Sequence, residues 1–288
     1  MSTPVPRLVR IRRSPVLHLL LLAGTFVTTT MAGCLWVGVP PALATLPRGL
    51  PFSATLLAIL LSHESGHYLM CRFYGVDASL PYFVPAPPQI FWFGTFGAFI
   101  RIRARFPDRR ALFDIGAGGP WAGFVVAFVA LVVGLKLSTI GAVPQPGAGI
   151  EFGDSILTKL LARVVLHADS DTIYLHPIAL AGWFGLFVTA LNLLPIGQLD
   201  GGHVLYAVTG RRARILPIAV LATLVWLGTH YWPGWIIWAM IGVLMFRNGH
   251  PPTLDDDAPL GPARSWASLA SAVLLVLTFV PDPLRLMT

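Results

Sequence analysis

Apolar runs long enough to cross a bilayer alternate with short polar segments along almost the whole chain. Six runs stand out, at about 15–39, 51–71, 111–136, 177–199, 213–229 and 231–247. Each approaches the ~20 residues that a helix needs to span hydrocarbon. A seventh stretch, about 266–280, is short for a crossing and stops at Pro281. Between the second and third runs the period changes. Over 95–106, Ile100, Ile102 and Ala104 alternate with Arg101, Arg103 and Arg105, the two-residue repeat of a strand with one apolar and one basic face. The pattern predicts an all-α polytopic membrane protein of six or seven transmembrane helices. A small membrane-associated β-hairpin or sheet is expected between the second and third. Four parts follow: a basic tail over 1–14, an embedded domain over 15–247 with its core at about 51–210, a Pro-rich acidic linker over 248–264, and a C-terminal apolar segment over 265–288. Disorder is the expectation for the linker.

Composition supports an integral membrane protein: of 288 residues, 55% are hydrophobic and 11% charged, with mean hydropathy +0.72. The net charge of +7 does not point to nucleic acid, because the arginines sit between apolar runs rather than in one patch. Of the 20 Lys and Arg residues, 15 fall on one side of the predicted topology. By the positive-inside rule this places the N-terminus in the cytoplasm and sends the second span inward. No organelle transit segment is visible, so a prokaryotic cytoplasmic membrane is the expected location. Cys34 and Cys71 both sit in apolar surroundings and read as small packing residues. The outer segment, about 137–176, is short for a domain, and its Glu151, Asp154, Asp169 and Asp171 read as a solvated face.

The second run contains His63-Glu64-Ser65-Gly66-His67. Ionisable residues are costly in hydrocarbon and mark function there by default. Residues four apart share one face of a helix, so His63 and His67 can grip one metal ion. Glu64 beside them can take a proton from a water activated at that ion. The alternative, a buried polar face without a partner, would cost free energy with no compensation. A catalytic zinc site usually takes a third protein ligand. The fourth run ends Asn192-Leu193-Leu194-Pro195-Ile196-Gly197-Gln198-Leu199-Asp200-Gly201-Gly202-His203. It also runs inward, which brings Asp200 near the depth of His67. Pro195 and the glycines should break the helix there, which membranes tolerate only in a protein-lined or wet cavity.

HESGH on one helix and NLLPIGQLDGGH on another, about 130 residues apart, resemble the site-2 protease family of intramembrane zinc metalloproteases. Gly116-Ala117-Gly118-Gly119-Pro120 at the head of the third helix is also family-like, and the segment LPYFVPAPP…FGTFGAFIRIRARFPDRRALFDIGAGGP resembles the branch without a PDZ domain. The resemblance covers roughly residues 50–210. It implies an enzyme that binds Zn2+ through His63, His67 and Asp200 and uses Glu64 as its catalytic glutamate. Asn192 would position the substrate or stabilise the oxyanion. His203 would be a neighbour of the site with a neutral structural role. The implied partners are a transmembrane protein substrate and the lipid bilayer. Gly116 to Gly123 fit close helix packing, and Asp114 fits a helix-start charge. The 95–106 strand either accepts substrate by strand addition or anchors at the interface. Two rival readings use the same ligands: a zinc-dependent transporter or sensor, which has no need of Glu64, and an inactive relative that only binds membrane helices.

Overall fold

The computed structural model describes residues 15–141, 150–167, 172–210, 215–247 and 252–286. The tail 1–14, Asp169, Asp171, Arg211, Arg212, Arg214 and residues 248–251 lie outside these, and so do the expectations placed on them. The described chain is mostly helical, with small antiparallel sheets. It opens with α1 (Val16–Trp36) and α2 (Leu46–Phe73). Strands β1 (Tyr82–Pro85) and β2 (Thr95–Phe99) form an antiparallel pair with a bulge between Phe83 and Pro85. Then come α3 (Arg109–Leu137), β3 (Thr139–Gly141), β4 (Ile150–Phe152), α4 (Ile156–Leu166) and β5 (Thr172–Tyr174). The chain continues through α5 (Pro177–Leu193), α6 (Asp200–Thr209), α7 (Ile215–His230), α8 (Gly234–Arg247), α9 (Pro262–Thr278) and β6 (Leu284–Leu286).

Two described helices, α1 and α3, are both long and apolar enough to cross a membrane. The 28 residues of α2 rise about 42 Å, but they carry Arg48, His63, Glu64, His67 and Arg72. The remaining apolar helices are shorter. At 14 to 17 residues, α5, α7, α8 and α9 rise about 21–26 Å, less than the ~30 Å hydrocarbon core.

Helices α2, α3 and α5 form the centre, with α1 packed on α2. Small residues permit this closeness. At Gly66 a Cβ would stand 2.2 Å from the Gly118 carbonyl oxygen of α3. The core that results includes Phe52, Leu56, Ile59, Leu131, Trp183, Phe184, Leu186 and Trp235, each at most 5% exposed.

Three expectations are corrected. The third helix does not open at Gly116. Asp108 caps it by accepting from the Ala111 N–H at 2.8 Å, so the glycines lie inside the helix. Asp114 is not a helix-start charge; its carboxylate takes both Nε and Nη2 of Arg264, at 2.9 and 2.7 Å, and the Tyr74 hydroxyl. The described part of the linker, 252–261, is ordered rather than loose. Leu254 and Asp255 donate backbone N–H groups to the Phe106 and Pro107 carbonyls at 3.0 Å. Asp256 accepts from the Tyr206 hydroxyl at 2.9 Å and from Thr253 Oγ1 at 2.6 Å.

These contacts fix the direction of α9. Its first turn touches Asp114 near the start of α3, and Trp121 Nε1 donates to Ser271 Oγ at 2.9 Å further along. Helix α9 therefore runs in the same direction as α3 along its first half, with Arg264 level with Asp114 and Ser271 level with Trp121. After α9 the chain reaches β6, which pairs antiparallel with β4. The outer segment also holds α4. Its Leu157 and Leu161 face inward, while Ile156, Leu160 and Val164 form an exposed apolar stripe.

Candidate metal centre

Two stretches of chain supply the centre. Helix α2 carries His63 and His67 one turn apart, both buried. Helix α5 stops at Leu193 because Pro195 has no N–H to continue it. The chain turns tightly through Leu194–Leu199, and α6 begins at Asp200. At Gly201 a Cβ would meet the Leu193 carbonyl oxygen at 1.9 Å, so a side chain there would force this turn open. The turn delivers the Asp200 carboxylate to the two imidazoles.

The three ligand residues form a compact triangle, the carboxylate offering a different oxygen to each imidazole. His63 Nε2 and His67 Nε2 stand 3.1 Å apart. Asp200 Oδ2 is 3.3 Å from His63 Nε2, and Oδ1 is 3.3 Å from His67 Nε2. A tetrahedral zinc with ligand bonds of ~2.0–2.2 Å sets its ligand atoms about 3.3–3.6 Å apart. The His63–His67 separation and each imidazole's separation from its nearer Asp200 oxygen are close to such an edge, and one atom from each residue can be chosen with all three within 4.8 Å. His67 Nδ1 lies 2.7 Å from the Ile115 carbonyl oxygen of α3. A carbonyl can only accept, so Nδ1 carries the proton and Nε2 presents its lone pair to the triangle. Two imidazoles and a carboxylate, with a bare nitrogen fixed inward, suit a borderline cation such as Zn2+.

Glu64 is 5% exposed and adjoins the triangle. The backbone of Ile100, just past β2, lies near its carboxylate. Asn192 Nδ2 lies 3.3 Å from His63 Nε2, so the sequence-predicted residues all converge on one spot. His203 is beside it but outside the triangle, packed against Gly116 and 5.6 Å in ring centroid from Phe106. Sequence reasoning missed two contributors. The Ile115 carbonyl leaves no mark in a sequence, being backbone. Gly119 appeared only as a packing glycine, yet its missing side chain makes room for the His67 ring.

The 95–106 segment lies against this centre. Beyond β2 its pairing continues through an Ala78–Ile102 bridge and hydrogen bonds joining Ser79 to Arg101 and Arg103 to Asp77. Ile100 and Ile102 pack inward, while Arg101, Arg103 and Arg105 are exposed. Ala104 departs from the expected apolar face and is exposed too. A cleft of about 500 Å³ runs along Phe99–Phe106, with Gln198, His203 and Pro252 on its other walls.

Family comparison agrees with this geometry. The chain belongs to the family described as Peptidase family M50, whose profile matches residues 51–229. Among curated relatives, "Probable zinc metalloprotease EGY1, chloroplastic" of Oryza sativa subsp. japonica is 35% identical over 254 residues, covering 85% of this chain and 43% of that protein. The protein of the same name in Arabidopsis thaliana is 34% identical over 245 residues, covering 81% and 43%. "Probable zinc metalloprotease EGY2, chloroplastic" of Oryza sativa subsp. indica is 31% identical over 237 residues, covering 78% and 41%. The chain thus spans less than half the length of these relatives.

Their names overturn the expected location in a prokaryotic cytoplasmic membrane, since the matched proteins are chloroplastic. The expectation rested on a missing transit segment. Such a leader lies apart from the catalytic core, so reading this sequence for one carries no information about compartment.

Proposed function

We propose that this protein is an intramembrane zinc endopeptidase that hydrolyses peptide bonds of membrane-spanning substrate proteins, as a step in regulated intramembrane proteolysis. The observation that carries the reading is the convergence of His63, His67 and Asp200 at tetrahedral-edge distances, with Glu64 beside them, on helices packed inside an apolar bundle. The names of the relatives support zinc and proteolysis. The apolar helices α1, α2, α3, α5, α7, α8 and α9 are the candidates for the chain's six or seven crossings.

His63, His67 and Asp200 would hold the zinc, which when bound would supply Lewis acidity and make water a better nucleophile near neutral pH. Glu64 takes a proton from the attacking water and returns one to the leaving amine. The Asn192 amide donates toward the substrate carbonyl oxygen as it gains charge. The substrate helix unwinds first, because its carbonyls are otherwise tied up in its own hydrogen bonds. Strand addition along the 99–106 cleft gives the unwound segment backbone partners and leads it toward Glu64. The nearness of Ile100 to the Glu64 carboxylate, and the cleft along this segment, support this reading.

A transporter or metal sensor would keep its function after Glu64→Gln. The test is cleavage of a model transmembrane substrate in detergent, with zinc content measured on the same samples. Glu64→Gln is expected to keep zinc and lose about 10²–10⁴-fold in cleavage rate. Wild-type cleavage by that variant would end the proposed mechanism.

A further inference from the structure

We propose that Arg264, on the C-terminal helix α9, is a positioning residue for the metal centre, acting through Asp114 and the neighbouring Ile115 carbonyl. It lies beyond residue 229, where the family match ends, and rests on the zinc reading above.

The chain of contacts is short. His67 holds its inward-facing nitrogen only while Nδ1 donates to Ile115 O at 2.7 Å. That carbonyl moves with any rotation or slide of the first turns of α3. Asp114, the residue before it, is gripped by the Arg264 fork at 2.9 and 2.7 Å. Tyr74, at the end of the helix that carries both histidines, donates to the same carboxylate and accepts from Arg264 Nη2 at 3.1 Å. The cluster therefore ties the histidine helix, the carbonyl helix and α9 at one point. A bidentate guanidinium fixes direction as well as distance. The Arg264 and Asp114 side chains are 32% and 22% exposed, so screening keeps the pair's share of overall stability small. What it fixes is the register of α3 against α2, on which the His67 hydrogen bond depends. Partners of metal-ligating imidazoles commonly alter metal affinity when lost.

The test measures zinc release from the full-length, zinc-loaded protein in detergent to a chromophoric chelator, below the unfolding temperature. Arg264→Ala and Asp114→Asn are expected to release zinc about 10-fold faster than wild type. Arg264→Lys, which keeps the charge without the fork, falls between. Tyr74→Phe, which leaves the Arg264–Asp114 pair intact, changes release less than about threefold. Co2+ bound in place of zinc should show a shifted visible absorption in Arg264→Ala. Wild-type release from folded Arg264→Ala, with only a lowered melting temperature, means a structural role and overturns the proposal. If Arg264→Ala does not fold, wild-type release from both Arg264→Lys and Asp114→Asn overturns it equally. A wild-type protein that holds no zinc would instead sink the metal reading itself.

Discussion

Gly119 stands where any side chain would strike His67: a Cβ there would lie 2.1 Å from Nε2, the atom aimed at the metal. Gly119→Ala must therefore displace the ring or push α3 away from α2. We expect it to lose zinc binding by at least about 10-fold and to cost about 1–3 kcal/mol as an overpacked core. Gly123→Ala, whose Cβ would sit 3.0 Å from His63 Cβ, should be milder on both counts. Zinc per chain and thermal melts of the two variants check this ordering.

Asn192 tests the division of labour at the centre. Its amide is close to His63 but is not one of the three ligands. Asn192→Leu should keep zinc at the wild-type level while turnover falls about 10²–10³-fold, the usual cost of losing one oxyanion donor. Parallel loss of zinc and turnover would make Asn192 a support of the metal site instead. The readout is kcat alongside zinc content.

Strand addition predicts a place for the substrate. A photo-crosslinking residue at Ala104, exposed in the cleft wall, should capture a substrate trapped by Glu64→Gln. The same group at Val164, on the exposed stripe of α4, should not. Equal capture at both positions would remove the cleft from the account.

Arg109 secures the far end of the helix that presents Asp200. Its Nε and Nη2 donate to the Ala207 and Val208 carbonyls at 2.7 and 2.6 Å, the unsatisfied end of α6. Arg109→Ala should cost about 1.5–3 kcal/mol, the range for hydrogen bonds to a charged group. Amide exchange should rise at the end of α6 before anywhere in α2 or α3. Unchanged exchange there would mean that other contacts hold α6.

Local patterns were legible from sequence where one helix or turn decides them. The four-residue spacing of His63 and His67 puts both on one face whatever surrounds them. Pro195 breaks α5 for reasons internal to the backbone, and Asp200 follows. The alternation after Phe99 was real for Ile100 to Arg103, but Ala104 faces outward because the pairing with residues 77–79 has ended. The relationships that escaped are those between distant segments. Asp114 finds Arg264 150 residues away. The acidic linker looked loose because its partners, the Phe106 and Pro107 carbonyls and Tyr206, lie far back in the chain. Helix α4 did leave a signal that went unused. Ile156, Leu160 and Val164 repeat every four residues after the capping residue Ser155.

The central claim is that His63, His67 and Asp200 bind one zinc between two stretches of chain. Zinc per purified chain, measured in wild type, His67→Ala and Asp200→Ala, tests it without any knowledge of the substrate. The account predicts near-stoichiometric zinc in wild type and loss in both variants. A folded wild type that takes up no zinc after metal is restored, or an Asp200→Ala variant that keeps its zinc, would contradict it.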